Sequence, residues 1–348
     1  MRGEFPADRV RLKAIMWELV ILRLIRENGF QEILTDDKIR TRRKREQFFE
    51  MRGRGCWHQI DCPCEYDKFI AFINPVRLLG EVKYYSRPIS KDHIRQFIGV
   101  LKDIQENYFT SDDENAPSAR FTELGAFFSS SGFEKEAEKL AFAHNIKTIS
   151  YKNVWILEPL KRALEDLENN YLSARECVSV GRQSEFVRAF KECLEGDYLP
   201  IKSIIRKFIH ADGFDNALKN LSNNFRAICS SFVATTSGGA FLHFVGEQQF
   251  PESLFNNTDF QSTRVFYFKE NSQRFFYLEF SEDPQRRKYY FNPPMALDQA
   301  AFYGPRQVIE QKRQIFKSIH ITRQISGLSR NLVLELDQGW LEQVEARL

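Results

Sequence analysis

Three charged residues lie within apolar sequence in the first third of the chain. Asp61 follows Ile60, and Glu81 and Lys83 lie in the run VRLLGEVK at residues 76–83. Side chains alternate between the two faces of a strand, so Glu81 and Lys83 would project to the same side. Burying such charges costs several kcal/mol unless each has a partner. If the strand near Asp61 pairs beside this one, the two carboxylates meet and their charge must be compensated.

A divalent metal ion is one compensation that fits this combination. Two neighbouring carboxylates repel each other unless a proton or a cation lies between them, and Mg²⁺ commonly binds one or two carboxylates together with water and phosphate oxygens. Lys83 would lie beside the ion, where its ammonium could orient an attacking hydroxide. The predicted chemistry is metal-dependent phosphodiester hydrolysis. The competing interpretation is a Glu81–Lys83 pair that serves only the fold.

The spacing of apolar residues predicts the elements that must position these side chains. Helical spacing indicates a first helix closed by Asn28-Gly29, a second opened by Ser90 and a third after a capping box of Ser131 and Glu134. Strands are predicted in CWHQIDCPC, FIAFINP, VRLLGEVKYY, LGAFFSS and IKTISY. This order predicts a small α/β domain with a central mixed sheet flanked by helices.

Asp61 and the triplet Glu81-Val82-Lys83 resemble the PD-(D/E)xK nuclease signature. The wider run, from about residue 14 to residue 151, resembles the Mrr-type branch of restriction endonucleases through the segments WELVILRLIRENGF, HQID, GEVKYY and GAFFSSSGFEKEAEKLAFAHNIKTISY. A D/E-x-K triplet alone is weak, because Asp36-Asp37-Lys38 also matches it in hydrophilic sequence. The apolar context of Glu81 and the upstream acid give the resemblance its weight. Ile60 stands where the literal motif has proline.

The resemblance implies a restriction-endonuclease-like fold and a Mg²⁺-dependent endonuclease. In that family the acids bind the metal, which assigns Asp61 and Glu81 as ligands of Mg²⁺, with Mn²⁺ as an alternative ion. The main-chain carbonyl of Val82 would add a ligand, and Lys83 would assist the nucleophile. DNA is the expected substrate and RNA is an open alternative.

Two further residues are assigned to the site by the same resemblance. Glu18, on the first helix, is at a position where many members carry an acid, and Gln96, on the helix after the catalytic strand, is at a position where members often carry a polar neighbour. The implied setting is a prokaryotic restriction or antiviral defence system. A partner-activated effector nuclease and a nuclease-like nucleic-acid-binding module are the alternatives.

Basic residues are concentrated just before Asp61. The net charge of the chain is only +3, but residues 38–54 contain Lys38, Arg40, Arg42, Arg43, Lys44, Arg45, Arg52 and Arg54. Such a density of charge suits binding to a phosphate backbone, although a solvated surface would have the same composition. The candidate nucleic-acid contacts are Arg42, Arg43, Arg45, Arg52 and Arg54.

The cysteines predict a reducing compartment. The chain has six cysteines and no evident secretory signal, which favours free thiols in a cytoplasmic protein. Charged residues interrupt the apolar run 14–25, so no membrane span is predicted. A zinc site made of Cys56, His58, Cys62 and Cys64 is disfavoured, because the C-x-C and C-x-H spacings do not match a zinc knuckle. Buried thiols and a hydrogen-bonded histidine are the simpler interpretation.

The second half of the chain differs in character. We divide the sequence into a nuclease domain at residues 1–153 and an α+β domain at residues 154–348, whose role would be recognition or binding of a partner or a second copy. Helical spacing covers residues 155–232, and short aromatic strands of a β-meander follow. These aromatic residues alternate with arginines and could stack on bases, but packing in a core or an interface is favoured, since one strand face must be buried.

Overall fold

The computed structural model describes residues 8–34, 40–44, 48–66, 73–106, 120–171, 180–195, 213–237, 239–256, 260–294, 297, 305–325 and 328–347. The chain divides into two compact units. The first comprises Met1–Arg26, Phe30–Thr148 and Pro159–Arg226, and the second comprises Glu27–Gly29, Ile149–Glu158 and Ala227–Leu348. This division differs from the sequence-based boundary after residue 153, because residues 159–226 group with the first unit.

The first unit contains a mixed sheet, as predicted. Its elements begin with α1 (Asp8–Arg26), β1 (Phe30–Glu32), β2 (Thr41–Lys44), β3 (Phe48–Arg52), β4 (Trp57–Gln59), β5 (Cys62–Tyr66), β6 (Val76–Lys83), α2 (Lys91–Gln105), β7 (Thr122–Ser129), α3 (Lys135–Ala143) and β8 (Lys147–Ser150). The five-stranded sheet has the order β1-β5-β6-β7-β8. Strand β6 is antiparallel to β5 and parallel to β7.

A second, three-stranded sheet carries much of the basic segment. Strands β2, β3 and β4 form it in that order, and both pairings are antiparallel. Phe49 and Met51 of β3 are buried in one core with Ile60, Leu79 of β6 and Phe97 of α2. The small sheet therefore shares the core of the first unit, and β4 ends two residues before Asp61. The predicted strand FIAFINP begins in a stretch outside the described residues.

Helices complete the first unit. They are α4 (Glu158–Tyr171), α5 (Val180–Leu194) and α6 (Phe214–Arg226), and α4 follows a 3₁₀ turn at Trp155–Leu157. The predicted helical region was too long at its end, because residues 230–232 begin strand β9 (Ser230–Thr236). The small and β-branched residues of SSFVATT suit a strand that is paired on both sides. Among the described residues, no helix combines the length and the hydropathy needed to span a bilayer.

The second unit is built around a closed barrel. After β9 come β10 (Phe241–Gly246), β11 (Gln261–Glu270), β12 (Gln273–Phe280), β13 (Tyr289–Phe291), α7 (Pro305–Ile315), β14 (Ile319–Ile325), β15 (Leu328–Leu336) and α8 (Gln338–Glu345). The barrel order is β10-β13-β12-β11-β15-β14-β9. The predicted meander comprised β10, β11, β12 and β13. Strands β11, β12 and β13 pair consecutively and antiparallel, whereas β10 pairs with β13 and β9 instead of β11, so the meander prediction was wrong for its first strand.

Aromatic side chains fill this barrel. Phe276, Phe280, Tyr289 and Phe291 are all buried in one cluster, which confirms core packing as the main role of the aromatic strands. Burial of so many rings stabilises the barrel through apolar area and edge-to-face contacts.

A buried polar group also lies in the second unit. His243 contacts the Tyr151 hydroxyl at 2.7 Å through Nδ1 and Ser231 Oγ at 2.6 Å through Nε2. Burial lowers the pKa of His243 to about 3, so the ring is neutral. With both ring nitrogens hydrogen-bonded and shielded from solvent, this group is a structural network.

Candidate active site

Strand β6 explains why charges occur in apolar sequence. It lies between β5 and β7, so residues 76–80 are buried as a continuous run, whereas Glu81 and Lys83 are half-buried at the end of the strand. Val82, between them, is 1% exposed. The alternation places Glu81 and Lys83 on one face and the Val82 side chain on the other, as the sequence predicted.

A close approach between β5 and β6 brings Asp61 to this face. Cys62 lies opposite Gly80 in the antiparallel register. A Cβ added at Gly80 would lie 2.7 Å from Cys62 Cβ and 3.0 Å from Phe128 Cε2, so a side chain here would force the strands apart. Glycine therefore permits the spacing that lets Asp61 reach the end of β6.

Asp61 is anchored by both backbone and side chain. Its Oδ2 accepts a hydrogen bond from Val82 N at 3.1 Å and from Lys83 Nζ at 2.9 Å. The Asp61 side chain is only 6% exposed. A buried carboxylate with two donors is satisfied in the folded state, but removing it would leave the Val82 amide without this partner.

Glu81 completes a three-residue cluster with Asp61 and Lys83. Glu81 Oε1 lies 2.5 Å from Lys83 Nζ, so one ammonium contacts both carboxylates. Burial and the neighbouring charge of Asp61 raise the pKa of Glu81 to about 7, despite the opposing effect of Lys83. Burial alone would lower the pKa of Lys83, but the two carboxylates outweigh it and raise that pKa, so the ammonium remains protonated.

One ammonium does not fully compensate the buried carboxylate of Asp61 and the half-buried carboxylate of Glu81, and the pKa of Glu81 is raised accordingly. A divalent cation near both oxygens would supply the missing positive charge, and carboxylate oxygens are the donors that Mg²⁺ prefers. Asp61, which directly precedes β5, fits such a cation by donor type and position together with Glu81 and the carbonyl of Val82 on the neighbouring strand β6. The structure thus brings together the three residues that the sequence singled out.

Glu18 and Gln96 lie on the two helices nearest to this strand in sequence. Helix α1 packs against β6, and its Trp17 ring meets the ring of Tyr84 edge-on at 5.5 Å, one residue beyond Lys83. Glu18, next to Trp17, is half-buried, and Gln96 is exposed on α2. The roles assigned to both residues stay predictions.

The candidate nucleic-acid residues have different environments. The side chain of Arg43, on β2, and the whole of Arg45 lie outside the described residues. Arg42 Nε lies 2.6 Å from Glu50 Oε2, and its guanidinium stacks 4.1 Å from the Trp57 ring centroid. Arg42 therefore compensates a buried glutamate in the small sheet.

Two other basic residues of this segment face solvent. Arg52 and Arg54 are exposed, and Arg54 Nη1 lies 3.2 Å from Glu106 Oε2. An exposed ion pair of this kind contributes little to stability, so Arg54 can exchange Glu106 for a phosphate. These two positions are the better probes of nucleic-acid binding.

Sequence reasoning missed several contacts between residues that lie far apart along the chain. The Tyr84 hydroxyl donates to Glu165 Oε1 of α4 at 2.9 Å. Asp103 of α2 joins Cys56 and His58, whereas Cys62 and Cys64 are buried on β5 with their sulfurs 3.8 Å apart. No spacing rule pairs residues 45 to 81 positions apart, so these contacts required the tertiary structure.

Comparison with known proteins adds no family assignment. The chain matches no family model and no curated protein. A solved structure, described as "Protein of Unknown Function AF1548", matches at 16% sequence identity with a TM-score of 0.34, covering 61% of this chain and 96% of that one. A likeness at that TM-score carries no argument about fold or function.

Proposed function

We propose that this chain is a Mg²⁺-dependent endonuclease of the restriction-endonuclease-like, PD-(D/E)xK type that hydrolyses phosphodiester bonds of DNA. The observation that supports this most directly is the convergence of Asp61 and Glu81 on the single ammonium of Lys83. A merely structural ion pair needs one acid and one base. A second acid that is half-buried beside the first, with a glutamate pKa of about 7, is costly for stability and is typical of functional sites.

Each residue of the cluster has a role in this reaction. Asp61, Glu81 and the carbonyl of Val82 would hold Mg²⁺, which when bound would neutralise the negative charge that grows on the phosphate. Lys83 remains protonated, so it acts as a hydrogen-bond donor and positive charge rather than as a general base. Its ammonium would orient the attacking water and stabilise the phosphate oxygens as charge develops there.

The direct test is an incubation of the purified chain with plasmid DNA, linear DNA and RNA in the presence of Mg²⁺, Mn²⁺ or EDTA. We expect cleavage of DNA with Mg²⁺ or Mn²⁺ and none with EDTA. Products from a closed circular plasmid would demonstrate endonuclease activity, and the RNA arm would settle the substrate class. Binding of DNA without cleavage under every metal condition would contradict cleavage by the isolated chain. It would support either a binding module or an effector nuclease that needs a partner.

Charge reversal in the basic segment should weaken nucleic-acid binding. Because Arg52 and Arg54 are exposed, replacing both with glutamate should reduce affinity for DNA and lower the slope of log affinity against log salt by roughly 1 for each phosphate that is no longer neutralised. Affinity should be measured at several salt concentrations. Lys139→Glu is the matched control, because Lys139 belongs to an exposed ion pair with Glu136 on α3. Equal effects of the two changes would assign the segment to a solvated surface.

A further inference from the structure

A second cluster of metal-binding side chain types lies outside the Asp61–Glu81–Lys83 site. Cys56 precedes β4, His58 lies in β4 and Asp103 lies on α2, and one ligand atom of each falls within 4.8 Å of the others. Cys56 Sγ is 3.5 Å from His58 Nε2, and Asp103 Oδ2 is 2.7 Å from that same nitrogen. Three donors of different chemical type thus converge on one point.

The loop before β4 is shaped around the Asp103 carboxylate. Gly55 N donates to Asp103 Oδ1 at 2.9 Å, and Cys56 N donates to Oδ2 at 3.4 Å. A Cβ at Gly53 would lie 2.0 Å from Asp103 Oδ2 and 2.9 Å from His58 Cδ2, so only glycine permits this approach. These contacts fix the Asp103 carboxylate beside His58 and Cys56.

The geometry does not suit a nucleophilic cysteine. In a cysteine–histidine–aspartate relay, one ring nitrogen faces the thiol and the other faces the carboxylate, so that a proton taken from sulfur is balanced by the acid. Here Nε2 faces both Cys56 and Asp103. The sulfur, the nitrogen and the carboxylate oxygen instead lie close enough together to share one cation.

We propose that Cys56, His58 and Asp103 bind one Zn²⁺ ion. A thiolate, an imidazole and a carboxylate form a donor set that suits zinc, and the two anionic donors balance its charge. Tetrahedral zinc, with bonds of about 2.3 Å to sulfur and about 2.0 Å to nitrogen, separates these donors by about 3.5 Å. The Cys56–His58 spacing already has this value. Binding would release the Cys56 thiol proton to solvent, shift the proton shared by His58 Nε2 and Asp103 to the other ring nitrogen or to solvent, and widen their 2.7 Å separation by roughly half an ångström.

The ion would join the loop before β4 to helix α2. Three protein ligands leave a fourth position, and the exposure of Cys56 allows water to occupy it. Because β4 leads within two residues to Asp61, zinc would also fix the strand that delivers this acid. The site is distinct in its donors from the Asp61–Glu81 pair, which contains no sulfur, so the two metal sites can be tested separately.

The test uses the full chain, stripped of metal and titrated with Co²⁺ and then Zn²⁺. We expect a thiolate-to-cobalt charge-transfer band, its loss on addition of one equivalent of Zn²⁺, and protection of Cys56 from alkylation by zinc. Cys56→Ser should abolish the band. Loss of a residue that only hydrogen-bonds to a metal ligand lowers affinity by ~10–100-fold, so His58→Gln, which removes a direct ligand, should weaken zinc affinity by more than that. Cys229→Ser and His144→Gln are controls that remove the same residue types elsewhere.

Folding is checked by comparing the circular dichroism of each metal-free variant with that of the metal-free parent chain. A thiolate–cobalt band that survives in Cys56→Ser would overturn the proposal, as would a parent chain that retains no zinc after gel filtration or a Cys56 whose alkylation zinc does not slow. Equal loss of the band in Cys229→Ser would also overturn it. None of these outcomes depends on whether the protein cleaves DNA.

Discussion

Replacing Lys83 with methionine should abolish DNA cleavage while leaving Mg²⁺ binding in place. Methionine keeps the length of the side chain but removes the ammonium, which contacts both Asp61 and Glu81. Because the ammonium competes with a cation for these oxygens, Mg²⁺ affinity should stay equal or increase. Loss of the charge that acts on the nucleophile and phosphate should reduce the rate by at least about 1,000-fold.

Removing either acid should give a different pattern. Asp61→Asn and Glu81→Gln each delete an anionic oxygen from a site that offers few, so both cleavage and Mg²⁺ binding should be lost. Combining these changes with Lys83→Met should add little further loss, since the three residues act as one unit. The measurements are single-turnover cleavage rates and Mg²⁺ titration by calorimetry.

A matched lysine supplies the control. Lys147 lies on β8 of the same sheet, and its Nζ contacts Asn145 Oδ1 at 2.7 Å, so Lys147→Met removes a lysine from the sheet without altering the acidic pair. This variant should cleave at the parent rate. A Lys83→Met variant that cleaves in a metal-dependent manner would show that the bond is cut elsewhere.

In the absence of metal, the stability of the first unit should fall as the pH rises from 4.5 to about 7. Burial and the charge of Asp61 raise the pKa of Glu81 to about 7 from an ordinary 4.5. Between these two pH values, Glu81 keeps its proton in the folded state but has lost it in the unfolded chain. The stabilisation that this proton provides is therefore complete below the pKa of the unfolded chain and is lost as the pH rises to the pKa of the folded state. The difference corresponds to about 3 kcal/mol across this window.

Glu81→Gln isolates this effect. Glutamine cannot ionise, so the free energy of unfolding of this variant should depend much less on pH. Without metal at about pH 8, the variant should be more stable than the parent chain. Asp61→Asn should behave oppositely and destabilise the protein, because Asp61 accepts hydrogen bonds from Val82 N and Lys83 Nζ. Urea unfolding at about pH 5 and about pH 8, with hydrogen exchange of the β6 amides, measures the first unit specifically.

Magnesium should restore the stability that the parent chain loses as the pH rises. The ion binds the ionised glutamate, so it should stabilise the parent chain more at about pH 8 than at about pH 5, and it should not stabilise Glu81→Gln. A parent chain whose stability is the same at both pH values, with or without Mg²⁺, would contradict the charge balance described for this site.

The sequence by itself determined the local elements and the residues most suited to chemistry. Alternation along β6 placed Glu81 and Lys83 on one face, and apolar spacing located α1, α2 and α3, because these patterns depend only on the geometry of one strand or helix. The mixed character of the sheet followed from the order of the elements, and the aromatic strands of the barrel were recognisable from composition.

The tertiary structure alone decided which residues meet across long separations. Asp103 joins His58 from α2, Glu165 reaches Tyr84 from α4, and strand β9 forms only because β10 and β14 pair with it on either side. The closure of the barrel likewise depends on β15 lying parallel to β11. Such contacts are fixed by how whole elements bury their apolar faces together, and no spacing within a single segment encodes that outcome.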